Sequence, residues 1–412
     1  MGGVTTFFTM SYIVIVNPAI LASPGTGIAF SGALTATVLV AFSMTLMMGL
    51  YARLPFAVAP GMGLNAFFAY TIILQNQVPW QTALGMVFWA GVLFLIVSAT
   101  PLRERIASAI PPALRIAAAA GIGLLLTLIA LRNVGVVVGD SVTVVRLGEL
   151  DHRVLFLLAG VLVAFVLLRR GNPLAYLASI LAVTLAAWAL GYAPPPDRLF
   201  SPPDFSSAFL KLDVMGALQL ALLPAIISIM FTDLFDSLST FIGVATASGL
   251  TERDGRPLNL RRGLLVDAFA TLGAGLAGTS PGTAYVESIA GIRMGGRTGR
   301  ASVVTALCFL PCFFIAPLAA AVPAYATASV LLFVGLAMFQ TIASLDFSTI
   351  EDSLPPFLMV VLIPLTLSIT QGILWGFILH ALLYALSGRA REVSVVLWVL
   401  ALVSAALLLI VR

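Results

Sequence analysis

The chain has 412 residues, 60% of them hydrophobic and 9% charged, with a formal net charge of +4. A soluble domain carries about 25% charged residues, so a soluble fold is excluded, and so small a charge leaves no electrostatic footprint for nucleic acid. The mean hydropathy of +1.10 and the long continuous apolar runs describe an all-α polytopic membrane protein; an outer-membrane barrel would alternate instead.

In chain order the apolar runs predict spans at 4–22, 29–51, 61–74, 80–99, 112–132, 153–169, 174–191, 215–247, 262–278, 283–292, 300–320, 324–343, 354–369, 371–388 and 393–411. The first run contains Asn17-Pro18 and lacks the basic leader of a cleavable signal peptide. Pro18 is expected to kink or end it. The start at Met1-Gly2-Gly3, almost inside that run, is expected to be a shortened one. The last run, 393–411, is expected to be peripheral or half-length, because counting it as a full crossing makes fifteen.

Two runs, 61–74 and 283–292, are too short to cross alone. Both follow a Pro-Gly pair, Pro60-Gly61 and Pro281-Gly282, and both pairs follow small or extended residues, Phe56-Ala-Val-Ala and Ala277-Gly-Thr-Ser. Short Pro/Gly-interrupted segments at matching places in two halves point to a transporter binding site between half-helices that follow extended strands. The Pro-Gly pairs are 221 residues apart, and the same offset carries Asn17 to Leu238. The chain is therefore expected to be two related halves, 1–192 and 212–412, joined by a polar linker at 193–211. An odd number of spans in each half makes the repeat inverted.

With a cytoplasmic N-terminus, the even-numbered connections hold most of the arginines, including Arg53, Arg103, Arg105, Arg115, Arg169, Arg170, Arg253, Arg256 and Arg261. The odd-numbered ones hold only Arg132, Arg146, Arg153, Arg198 and Lys211. That asymmetry satisfies the positive-inside rule and supports a multi-pass cytoplasmic-membrane protein in this orientation.

Asp233 and Asp236 lie mid-way along the run 215–247, about 60° apart around a helix, with Ser237 and Thr240 extending the polar stripe. A carboxylate at bilayer depth costs at least ~2.5–3.5 kcal/mol, so such a pair marks a substrate and proton site more often than a packing cluster. A second constellation is Gly278-Thr-Ser-Pro-Gly-Thr283-Ala-Tyr-Val-Glu287-Ser288. Glu287 could accept hydrogen bonds from a ligand's ring N–H or amino groups, or pair with Arg293. Asn65, in Pro60-Gly-Met-Gly-Leu-Asn65, stands at nearly the matching place in the first half, as a ligand contact or an interhelical hydrogen bond. Asp267 is read as structural, paired with Arg261 or Arg262. Phe67, Phe68, Phe231 and Tyr285 are candidates to stack on a planar ligand, with packing the commoner role.

His152 and His380 are too far apart to suggest a metal site, Cys308 and Cys312 read as packing residues, and no phosphate-cradling GxxxxGK[ST] run exists. Neither metal nor cofactor is expected.

Read together, these stretches resemble one family. Thr5-Thr-Phe-Phe-Thr-Met-Ser-Tyr, Asn17-Pro18-Ala-Ile-Leu, Pro60-Gly-Met-Gly-Leu-Asn65-Ala-Phe-Phe, Phe231-Thr-Asp233-Leu-Phe-Asp236, Tyr285-Val-Glu287-Ser-Ile-Ala-Gly and Gly295-Gly-Arg-Thr-Gly299 are similar, in order and spacing, to the AzgA-like purine permeases. These are relatives of the nucleobase–ascorbate transporters, which include the xanthine/uracil permeases. The resemblance implies about fourteen transmembrane segments as a 7+7 inverted repeat. It implies core segments at 1–106 and 212–320 and gate segments at 107–192 and 321–412. It also implies proton-coupled uptake of hypoxanthine, guanine or adenine by an elevator-like shift of core against gate, in a homodimer. Carried over, Asp233 and Glu287 match the acids that bind the purine, Asn65 a supporting polar residue, and Asp236 a second acid that couples protons or tunes function. Backbone groups near Thr283 complete the expected site. Ser239 stands where the family commonly has glycine, and Pro281-Gly282 replaces a more usual Thr-Val, which bears on specificity.

Two other classes are weighed against this reading. An anion transporter or exchanger of the same architecture would favour positive charge at the site. An intramembrane aspartyl enzyme would place its two acids on facing helices, whereas Asp233 and Asp236 share one. The expected protein is a transporter and not an enzyme.

Overall fold

Proline, glycine and a few capping side chains decide where the helices stop. The computed structural model describes residues 1–100, 110–252 and 257–410; Arg103, Arg105, Arg253, Arg256 and the expected boundary at 106/107 lie outside the described residues. In the first half, α1 (Gly2–Leu21) is followed by α2 (Phe30–Ala52), strand β1 (Val58–Pro60), α3 (Met62–Gln75) and α4 (Trp80–Ala99). Then come α5 (Pro112–Val134), the hairpin β2 (Val137–Asp140) and β3 (Val144–Leu147), α6 (His152–Arg169) and α7 (Ala175–Ala189).

The second half holds α8 (Leu220–Ser248), α9 (Leu260–Ala277), β4 (Gly282–Ala284), α10 (Ser288–Arg293) and α11 (Gly299–Phe314), which continues as Ala316–Ala320. It ends with α12 (Ala324–Ser344), α13 (Ile350–Leu365), α14 (Ile369–Leu386) and α15 (Val395–Ile410). Among the described residues, eight helices are long and apolar enough to cross a membrane: α1, α2, α4, α5, α6, α8, α12 and α14.

Helices α1 to α4 pack with α8 to α11, while α5 to α7 pack with α12 to α14. The tightest seam of the second group is α5 on α12, where Gly123 meets the Gly335 backbone. A Cβ at Gly123 would stand 2.5 Å from the Gly335 carbonyl oxygen. Only small residues let helices approach this closely in a membrane, where packing replaces the hydrophobic effect. The outer faces are apolar, with Leu155, Leu158 and Leu162 of α6 exposed as lipid-facing residues must be.

At the centre, β1 and β4 pair antiparallel, with Val58 opposite Ala284, Ala59 opposite Thr283 and Pro60 opposite Gly282. Both strands are fully buried. Their remaining polar groups are met from neighbouring helices. Thr45 Oγ1 lies 2.9 Å from both Val58 N and Val58 O, Ser288 Oγ accepts from Ala57 N–H at 3.0 Å, and Ser302 donates to the Leu54 or Phe56 carbonyl at 2.7 and 2.9 Å.

The second crossover corrects the expected boundaries. Ala277 ends α9, Gly278 turns the chain at φ 98°, and the strand follows Pro281 instead of preceding it. The half-helix therefore begins at Ser288, not 283. Elsewhere, Thr349 caps α13 by accepting from Asp352 N–H, so that helix begins at Ile350, ahead of the expected 354. The run 300–320 breaks at Ile315, ahead of Pro317. The run 215–247 opens with a short 3-10 turn at Gly216–Leu218, is broken by an extended Gln219, and is helical again from Leu220.

The linker is part of the packed structure. Asp204 accepts from Ser31 and Ser207 hydroxyls at 2.7 Å and from Ser206 at 2.8 Å, while its own N–H donates to Thr35 at 2.9 Å. Burial raises the Asp204 carboxyl, but the hydroxyl bonds outweigh it and hold the group below the usual carboxylate range. The folded state therefore favours the ionised form. The stability this contributes is present above the unfolded pKa of about 3.9 and is lost as pH falls through the lower folded value. Asp204→Ala is expected to lose about 1 kcal/mol at neutral pH, with the difference from wild type shrinking in strong acid. Thermal unfolding of detergent-purified protein across a pH series checks this; a difference independent of pH contradicts it.

Candidate substrate site

The crossover strands bring α1, α3, α8, α9 and α10 to one place, and the polar side chains there form two networks. The first is built on Asn17. Its Nδ2 donates to Thr37 at 2.8 Å and Thr279 at 2.9 Å, and its Oδ1 accepts from Asn65 at 2.9 Å and Ser280 at 3.2 Å. Asn17 and Asn65 are both fully buried. One amide thus ties α1 to α2, to the half-helix α3 and to the turn before β4. Asn65 sits inside this network, and its own Oδ1 is buried without a hydrogen-bond partner.

The second network is acidic. Asp233 is fully buried; one carboxylate oxygen contacts the Thr271 hydroxyl of α9, and the other, Oδ1, has no hydrogen-bond partner. Thr271 also lies 3.1 Å from the Gly282 carbonyl of β4. Asp267 does not pair with Arg261 or Arg262. Its carboxylate contacts the Ser237 hydroxyl one helical turn past Asp233, and Arg261 donates to the Ala99 carbonyl at 3.2 Å instead. The reason is position: Asp267 lies nearly two turns into α9, fully buried against α8, out of reach of arginines at the helix start. Ser237 lies 3.3 Å from the Thr283 hydroxyl of β4, and Thr283 lies 3.3 Å from Asp236.

Asp236 reaches open space. It lines a cavity of about 310 Å³ between α8 and α5, with Thr232, Phe235, Ser239, Arg115, Met338 and Thr341 on the walls. That volume lies at the small end of ligand pockets, roughly 300–1,000 Å³. Thr232 Oγ1 and Arg115 Nε are buried there without hydrogen-bond partners. Glu287 accepts from the Tyr12 hydroxyl at 2.7 Å and faces a second cavity of about 260 Å³, with Tyr176, Asn172 and Arg293 in its lining. The sequence-predicted residues therefore divide. Asp236 and Thr283 are in contact, Asp233 is one helical turn deeper, and Glu287 approaches from the α1 side.

The predicted aromatics are packed: Phe67 and Phe68 are buried, and Phe231 stacks on Phe235 with centroids 5.8 Å apart. His380 packs on Tyr384 at 4.2 Å. Residues missed in sequence are Tyr12, Thr271 and the role of Asp267. Thr271 follows Asp267 by four positions, which is the available signal that one face of α9 is polar. At the far end of α3, Thr71 donates to the Leu367 carbonyl and Gln75 to that of Thr366 at 3.2 Å, joining that half-helix to the α13–α14 turn.

Comparison with known proteins identifies the architecture. A family model described as Permease family, Xan_ur_permease, matches residues 1–374. The chain belongs to that family. It is 38% identical over 96% of its length to the adenine permease AdeP of Escherichia coli strain K12, covering 88% of that protein. It is 37% identical over 95% of its length to the guanine/hypoxanthine permease PbuO of Bacillus subtilis strain 168, covering 92%. The resemblance to the AzgA-like branch is thereby borne out, and the protein is a permease and not an enzyme. Among solved structures, it is similar to the transmembrane domain of the cyanobacterial bicarbonate transporter BicA, with a TM-score of 0.65 at 18% identity over 90% of this chain and 96% of that one. That likeness concerns the fold.

The Asn17 network makes this permease's crossover testable. Asn17→Ala strands the Asn65, Thr279 and Ser280 polar groups in the core, a cost of roughly 1–3 kcal/mol per buried unpaired group. A clear fall in thermal unfolding temperature in detergent is expected, larger than for Asn65→Ala, which removes only one spoke of the network. Equal effects of the two substitutions contradict the hub role.

Proposed function

We propose that this permease carries purine nucleobases across the cytoplasmic membrane, coupled to protons. The observation that carries the reading is chemical. Three carboxyl groups, Asp233, Asp236 and Glu287, gather at the crossover, and among the described residues their side-chain partners are hydroxyls, not cations. A site of acceptors suits a neutral heterocycle that presents ring N–H and amino donors. Asp233 keeps one oxygen without a donor, and Glu287 has one oxygen outside its bond to Tyr12. These oxygens, with Thr283 and with Asn65 as support, are the proposed purine contacts. Asp236, at the cavity wall, is the proposed proton-coupling or tuning group. The relatives' substrates, adenine for AdeP and guanine or hypoxanthine for PbuO, support the same class.

In this reading the chain forms fourteen membrane segments, seven in each inverted half, with α15 peripheral. The segments at 1–106 and 212–320 are the core that carries substrate, and those at 107–192 and 321–412 are the gate. The core moves against the gate in an elevator-like step within a homodimer. With the N-terminus cytoplasmic, the cavity beside Asp236 opens inward, where α5 begins and α8 ends. The α3 contacts to the α13–α14 turn then close the outer side. An anion exchanger on the same fold is disfavoured, because an anion would meet unneutralised acids.

Radiolabelled hypoxanthine and adenine uptake by cells expressing the protein is expected to be uphill and to collapse on adding an uncoupler. Asp233→Ala and Glu287→Ala are each expected to reduce uptake by about 100-fold, the scale of losing a hydrogen bond to a charged group. Unchanged uptake in either variant removes that residue from the site. Saturable bicarbonate or sulfate flux through purified protein, without purine transport, overturns the reading.

A further inference from the structure

The bonds between Asp267 and Asp236 contain a mismatch. The row runs Asp267, Ser237, Thr283, Asp236, with three links and two hydroxyls between the acids. Each hydroxyl carries one proton to donate. If both carboxyls are ionised, each end link takes one hydroxyl proton and the middle link, 3.3 Å between Ser237 and Thr283, has none. With one proton on either carboxyl, all three links are made, in one direction or the other.

We propose that Asp267 is a proton-holding site of the transport cycle, filled and emptied through Ser237 and Thr283 from Asp236 at the cavity wall. The proposal rests on the proton-coupled reading above and adds a residue and a route to it. Transfer is a concerted shift along the row. The Asp236 carboxyl O–H bond breaks as its proton passes to Thr283, Thr283 passes its own to Ser237, and Ser237 passes its own to Asp267. Both hydroxyls are neutral before and after, the charge moves from Asp267 to Asp236, and no co-reactant is consumed.

The surroundings leave the proton as the available counter-charge. Asp267 is fully buried. Helices α2 and α4, packed on α9, bring only Tyr51 as a titratable group, and β1 brings none. Helix α8 brings Asp233 and Asp236. Asp236 faces Glu287 and Tyr285 from the chain around α10, and Arg115 of α5 across the cavity. Arg115 lines the cavity with Asp236, so the positive charge is at the entrance of the row and not at its buried end. His380 of α14 is engaged with Tyr384. Ser237 joins Asp267 to Thr283 and is not itself a proposed purine contact, so removing its hydroxyl cuts the route while both end carboxyls stay.

The test uses the full chain in proteoliposomes with adenine and hypoxanthine as probes. Ser237→Ala and Asp267→Asn are expected to lower accumulation driven by a pH gradient by about tenfold or more, while purine counterflow at equal pH and purine binding by calorimetry stay at wild-type level. Ser237→Thr, which keeps a hydroxyl, is expected to restore accumulation. Wild-type accumulation and pH profile in both variants overturn the proposal. So does a loss of counterflow and binding in step with accumulation, which marks a packing role. If wild-type protein neither binds nor exchanges purines, the substrate reading fails separately, and infrared difference spectra decide the relay alone. A protonated-carboxyl C=O band that titrates with pH in wild type and is missing in Asp267→Asn supports it; identical spectra overturn it.

Discussion

The constraint on which the rest of the structure depends is the extended backbone at the centre of the bundle. Each unpaired amide group in a dry interior costs several kcal/mol, so strands at this depth survive only if every N–H and C=O is met. Pairing β1 with β4 satisfies the two crossovers against each other. The bond from Gly61 N–H to the Pro281 carbonyl, 2.8 Å, and that from Tyr285 N–H to the Ala57 carbonyl, 2.9 Å, extend the pairing at both ends. Thr45, Ser288 and Ser302 supply side-chain partners around β1 from three different helices, and Thr271 reaches the Gly282 carbonyl of β4. The halves of the chain are thus joined where they are least helical, and the site inherits its position from that joint.

This explains which parts were readable in the sequence. Long apolar runs bounded by Gly and Pro placed most helices to within a few residues, because hydropathy over a bilayer-length window is a strong signal. Pro60-Gly61 marked the first crossover correctly, since the strand ends on Pro60 itself. At Pro281-Gly282 the same pair begins a strand. The register there is set by pairing with residues more than two hundred positions away, which no local pattern encodes. The acids at 233, 236 and 287 were conspicuous because charge is rare in such runs. What each acid touches was not legible: Asp267 reads locally as a neighbour of Arg261 and Arg262, and only the packing of α9 against α8 turns it toward Ser237.

The two halves use the same architecture with different chemistry. In the first, an amide hub, Asn17 with Thr37 and Asn65, ties the helix before the crossover to α2 and α3. In the second, Ser237 of α8 bonds Asp267 of α9, and Asp233 bonds Thr271. Amides cannot change charge in the accessible pH range; carboxyls can. The first half therefore holds its crossover by bonds that are indifferent to protons, while the carboxyl groups at the joint, Asp233, Asp236, Asp267 and Glu287, all lie in the second half.

That division has a mechanical consequence. A carrier that answers to protons needs some bonds that change with protonation and others that hold the same backbone in register while they do. Had both halves carried acids, each protonation change would have loosened both sides of the β1–β4 joint at once. On the proposed proton coupling, a proton entering the second half would redistribute bonds among Ser237, Thr271 and Thr283 while Asn17 still grips Thr279 and Ser280, the residues just ahead of β4. The strand that presents Thr283 to Asp236 is thus anchored at its start by groups that do not titrate and bounded along its length by groups that do. A hydroxyl suits that position because it can donate or accept without moving, so Thr283 can reverse its bond direction without breaking the strand pairing that the fold requires.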